Sequence, residues 1–149
     1  MLHNHWNKRA TVRAMTIAGA LVILGACAPM TSMSTDTKAV VLIGANEVPP
    51  VITAATGEGS VTIRPDMTVS AKIRVIAMDA TAAHIHNAAA GTNGPVIVPF
   101  TKTADNTFEA PAGARLSAEQ YAAFRAGHLY VNVHSAKHAG GEVRAQIIP

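Results

Sequence analysis

His84 and His86 flank Ile85 in the stretch Thr81-Ala82-Ala83-His84-Ile85-His86-Asn87, and His134 and His138 lie near the far end of the chain. Side chains alternate faces along a β-strand, so His84 and His86 project from one side if this stretch is extended. Two imidazoles on one face, joined by a third from another strand, suit a first-row transition metal. The parity of Leu129 to His134 supplies that third group. Leu129, Val131 and Val133 share one face, and Tyr130, Asn132 and His134 share the other. The expected ligands are His84, His86 and His134, with His138 as an optional fourth, copper favoured and zinc the alternative. Asn132 is expected to orient an imidazole from behind. His128 has the parity of His134, and Asp79 is a further nearby candidate. The competing reading is a structural cluster in which these histidines only hydrogen-bond neighbouring strands.

The elements that must position these residues read as strands. Ala39–Gly44 is an apolar run, Gly57–Arg64 alternates, and Val69–Ala77 alternates strongly. The histidine pair follows on Thr81–His86, then a loop from Ala88 to Pro95 whose Gly91 and Gly94 read as turn residues. Val96–Val98 and Asn106–Ala110 are short strand candidates, and His128–Ser135 and Val143–Ile147 close the chain. Pro49 and Pro50 keep the Asn46–Val51 segment out of any central strand. One helix interrupts, with Ser117 and Gln120 spaced as a capping box and Gly127 at its end. The expectation is an all-β, immunoglobulin-like Greek-key β-sandwich with one short helix.

The first part of the chain reads differently. Lys8, Arg9 and Arg13 precede an uncharged run from Ala14 to Ala26, the pattern of an export signal over residues 1–26. Leu24-Gly25-Ala26-Cys27 resembles a bacterial lipobox, which implies a lipid on Cys27, the only cysteine. Residues 27–38 then form a lipidated tether, in which Met30 and Met33 read as linker, and residues 39–149 form the domain. The protein is expected to be exported and held to the cell envelope by its lipid. Ala28 points to the outer membrane if the host is Gram-negative. Of the 12 Lys and Arg, three fall in the leader, and the nine left balance the nine acids. The basic balance therefore belongs to the leader, and nothing supports a nucleic-acid partner.

Ordered motifs carry a resemblance. Glu47-Val48-Pro49-Pro50, Ala83-His84-Ile85-His86, Gly91-Thr92-Asn93-Gly94-Pro95-Val96, Gly127–Ser135 and Gly140-Gly141-Glu142-Val143-Arg144-Ala145-Gln146-Ile147 resemble the CHRD domain family. The resemblance implies an immunoglobulin-like sandwich and leaves activity open. A second resemblance, confined to the site, is to copper-zinc superoxide dismutase, with His84, His86 and Val133-His134 in the places of copper ligands. The bridging histidine, the zinc subsite and the disulfide of that family have no counterpart here. A non-catalytic envelope interaction domain and a dismutase-like enzyme therefore stand as alternatives to simple metal binding. Glu142 and Arg144, beside the last turn, read as a surface ion pair. Ser135 is next to His134 and so on the opposite strand face, which works against a nucleophile–base pair.

Overall fold

The computed structural model describes residue 1 and residues 37–149; the rest of the expected export signal, with Cys27, Met30 and Met33, lies outside the described residues. The domain is built from β1 (Thr37–Ile43), a 3-10 turn (Gly44–Asn46), β2 (Thr56–Ile63), β3 (Val69–Ile76), β4 (Ala80–Asn87), β5 (Val96–Pro99), β6 (Thr101–Ala104), β7 (Thr107–Glu109), α1 (Ala118–Arg125), β8 (Leu129–Ser135) and β9 (Val143–Ile147). It is all-β with one short helix, as the alternation predicts. The strands form one antiparallel ladder in the order β5-β4-β8-β9-β1-β2-β3-β7-β6.

That order explains the shape. The two end strands, β5 and β6, are separated in the chain by Phe100 alone. The sheet must therefore curl until its ends meet, and it nearly closes. The Phe100 amide donates to the Ala83 carbonyl at 3.0 Å, and Lys102 Nζ donates to the Ala80 carbonyl at 3.1 Å, fastening the seam. The expected two-layer sandwich thus takes the form of a single sheet folded over on itself.

The concave face is dry. Val40, Leu42, Val61, Ile63, Ile73, Val75, Ile85, Val131, Val133 and Ile147 are each at most 5% exposed. Burying each such side chain contributes about 1.5–3 kcal/mol. The helix adds Phe124 to this core and is capped as the sequence implies: Ser117 Oγ accepts from the Gln120 amide, and Gln120 Oε1 accepts from the Ser117 amide. β6 was not expected. All four of its residues are exposed, so Thr101-Lys102-Thr103-Ala104 offers no apolar alternation to read.

Candidate metal centre

Strand register brings the histidines together. On β4 and β8, Ala82 lies opposite His134, His84 opposite Asn132, and His86 opposite Tyr130. On β9, Arg144 lies opposite Asn132 and Gln146 opposite Tyr130. Three neighbouring strands therefore line up one polar face, while Ala83, Ile85, Val131, Val133 and Ala145 point into the core. Every residue of β8 is buried, so this outer face is also covered. The cover is supplied by residues 88–95.

One nitrogen from each of His84, His86 and His134 lies within 4.8 Å of the other two. His84 Nδ1 and His134 Nε2 are 2.9 Å apart. The tautomers follow from the backbone. His86 Nδ1 lies 2.9 Å from the Gly94 carbonyl and His134 Nδ1 lies 3.0 Å from the Ala139 carbonyl. Carbonyls only accept, so both Nδ1 atoms carry the proton and both Nε2 atoms keep a lone pair. The proton on the short contact then belongs to His84 Nδ1, which donates to His134 Nε2. His86 Nε2 is buried and has no hydrogen-bond partner among the described residues. Imidazoles fixed through Nδ1–H with Nε2 turned inward are arranged as ligands usually are.

The electrostatics favour neutral rings. Burial, helped by the neighbouring His134 and His86, holds His84 down to about 4. Burial also lowers His86, against the opposing pull of the Gly94 carbonyl, and lowers His134. These groups take up fewer protons folded than unfolded between their depressed folded values and the ordinary value of about 6.5. Stability is therefore intact above that ordinary value and falls as the pH drops towards 4. Metal-free protein is expected to melt several degrees lower at pH 4.5 than at pH 7, with a smaller decrease in His84→Gln. Equal decreases in both proteins, measured by calorimetry, would remove His84 as the cause.

Behind the histidines lies an arrangement the sequence reading missed. The Tyr130 ring stacks on His86 with centroids 4.7 Å apart and planes 7° from parallel. The Arg144 guanidinium sits 3.4 Å over the Tyr130 ring. Arg144 is 1% exposed and donates to Asn93 Oδ1 at 3.1 Å, to the Thr92 carbonyl at 2.9 Å and to the Ala89 carbonyl at 3.5 Å. Gln146 Nε2 donates to the Ala88 carbonyl at 3.1 Å, and Asn93 Nδ2 donates to the Val48 carbonyl at 2.6 Å. The cover is thus stapled to β9, and Gly94 is held where His86 needs its carbonyl. The parity of Tyr130 with Asn132 was visible in the sequence; the matching parity of Arg144 and Gln146 was the unused signal.

The surface pair expected of Glu142 and Arg144 is not present. Both are buried, Glu142 at 5%. Glu142 accepts instead from Thr53 Oγ1 at 2.7 Å and from Ser135 Oγ. Burial works against its carboxylate, but these two hydrogen bonds together with the nearby His138 and Lys137 outweigh that cost and leave its pKa lowered. The carboxylate electrostatically coupled to Arg144 is Glu47, 4% exposed, whose pKa burial pushes up. His138 does not join the three-histidine group; it lies in the turn after β8, its amide bonded to Ser135 Oγ at 3.1 Å. His128 and Asp79 are exposed and also stand outside the group. Asn132, 1% exposed, lies beside His86.

Residues 38–147 match the CHRD domain, in agreement with the ordered motifs. Comparison with curated proteins and with solved structures finds no match. The domain match spans most of the chain, and the protein belongs to the CHRD domain family.

Proposed function

We propose that this protein is an exported, lipid-anchored CHRD-domain protein that binds one copper ion through His84, His86 and His134. The observation that carries the reading is the convergence of three ring nitrogens on one point, two of them presented by backbone-locked tautomers. Three neutral imidazoles suit Cu(II) or Zn(II), and at a given nitrogen site Cu(II) is the tighter binder.

Binding is favoured over dismutase-type catalysis by the state of Arg144. An arginine that guides an anion must be reachable from solvent, whereas this one is 1% exposed, donates to the cover and lays its face on Tyr130. The anchor rests on the sequence features around Cys27, and mass spectrometry of the N-terminal peptide, sought with a diacylglyceryl group on Cys27, tests it. For the site, the full chain freed of metal is titrated with Cu(II) under calorimetry. One equivalent bound, with Tm rising as copper is added, is the expected result. A melting temperature indifferent to excess Cu(II) and Zn(II) would replace this reading with the metal-free interaction domain, in which the His84–His134 hydrogen bond is purely structural.

A further inference from the structure

The turn that joins β8 to β9 carries one support of the metal site. The Ala139 carbonyl, which fixes the His134 tautomer from 3.0 Å, lies in that turn and not on a strand. A turn carbonyl is only as well placed as the residues around it, and here they are tied on both sides. The His138 amide donates to the Ser135 carbonyl at 3.2 Å and to Ser135 Oγ at 3.1 Å. The Gly141 amide donates to the His138 carbonyl at 3.1 Å.

These ties converge on one carboxylate. Ser135 Oγ accepts from the His138 amide and gives its own proton to Glu142 Oε2. Thr53 Oγ1 accepts from the Ala55 amide at 3.0 Å and donates to Glu142 Oε1 at 2.7 Å. The Glu142 amide donates to the Val133 carbonyl at 2.8 Å, which roots the residue in the β8–β9 ladder. Glu142 and Ser135 are each 5% exposed. Burying a carboxylate is costly, and a neutral side chain would suit the interior better. What the carboxylate adds is two strong, directed acceptors that hold two hydroxyls in fixed rotamers.

We infer that Glu142 is a positioning residue for His134. Through Ser135 and His138 it holds the Ala139 carbonyl against His134 Nδ1–H, so that Nε2 keeps the lone pair a metal needs. His86 is served by a separate device, the Gly94 carbonyl, so the two tautomers are set independently. The purpose of this role rests on the metal-binding reading, but the tautomer itself can be observed without metal.

The test is two-bond 1H–15N correlation NMR on the metal-free full chain labelled with 15N-histidine, which tells Nδ1–H from Nε2–H rings. The parent should show His134 as Nδ1–H. In Glu142→Ala, His134 should gain an Nε2–H population while His86 is unchanged. Glu142→Gln, which keeps an acceptor oxygen for Ser135, should restore the parent spectrum. Ser135→Ala, which cuts the link but leaves Glu142 on Thr53, should shift His134 to a lesser degree and decides the matter if Glu142→Ala does not fold. Copper affinity should fall about 10–100-fold in Glu142→Ala, the usual cost of losing a group behind a ligand. His134 wholly Nδ1–H in every folded variant would overturn the inference, as would His134 and His86 changing together, the mark of a general loosening. A parent chain that binds no Cu(II) would overturn the metal-binding reading, and the tautomer spectra would still decide what Glu142 does.

Discussion

Replacing His84 and His86 together by alanine is expected to abolish Cu(II) binding and leave a folded domain. Two of the three converging nitrogens disappear, and His134 alone offers a single, weak ligand. The fold should survive because the substitutions fall on the outer face of β4, whereas Ala83 and Ile85 on the inner face keep the core intact. His86→Ala forfeits its stacking on Tyr130, a contact worth about 0.5–1.5 kcal/mol. Metal-dependent stabilisation is the larger quantity: copper at a hundred times its Kd adds about 2.7 kcal/mol to the unsubstituted protein, a rise on the order of 10 °C in Tm for a domain this size. That rise should vanish in the double variant, with circular dichroism unchanged at 20 °C or so. Stoichiometric binding that persists in the variant would place copper elsewhere.

Arg144→Met should be the most damaging single change on the outer face. Methionine keeps most of the stem but not the charge or the N–H groups. Glu47 then remains buried without its opposite charge, and Asn93 and the Thr92 carbonyl lose their donor. Each buried polar partner left unsatisfied costs about 1–3 kcal/mol, and Arg144 serves several. The Tm should fall by roughly 10–20 °C. Glu47→Gln in the same chain should recover part of the loss, because it removes the stranded charge. A Tm within about two degrees of the parent would show that Arg144 is dispensable to the cover. Copper affinity should drop as well, since Gly94 fixes the His86 tautomer only while residues 88–95 stay docked.

The strands that line the core were legible because apolar residues recur at every second position in β3, β8 and β9, and because β1 is an apolar run, although only Val40 and Leu42 of that run face the core while Val41 and Ile43 are exposed. The three-histidine convergence was legible for the same reason, as strand parity decides which face a residue takes. Parity does not decide which strands are neighbours. That β9 lies against β8, bringing Arg144 beside Tyr130, is a fact of sheet order. Charge is also a poor guide to burial: Glu142, Arg144 and Glu47 look like surface residues, and each finds internal partners. β6 escaped notice because an exposed edge strand needs no apolar face. Its pairing with β7 comes from the backbone, which composition does not report.

The way residues 88–95 are held bears on which substitutions the chain can accumulate. The partners of this segment read mostly its backbone: the carbonyls of Ala88, Ala89, Thr92 and Gly94 receive Gln146, Arg144 and His86. A carbonyl is the same whatever residue bears it. The exposed Ala90 side chain is thus free to drift, whereas Ala88 and Ala89 are half-buried and the Ala88 Cβ lies close to Gly94. Two positions escape that freedom. Asn93 bonds through its own amide to Arg144 and Val48, and a Cβ at Gly94 would strike the Asn87 carbonyl at 2.0 Å. The segment is held by what its backbone offers more than by what its side chains are.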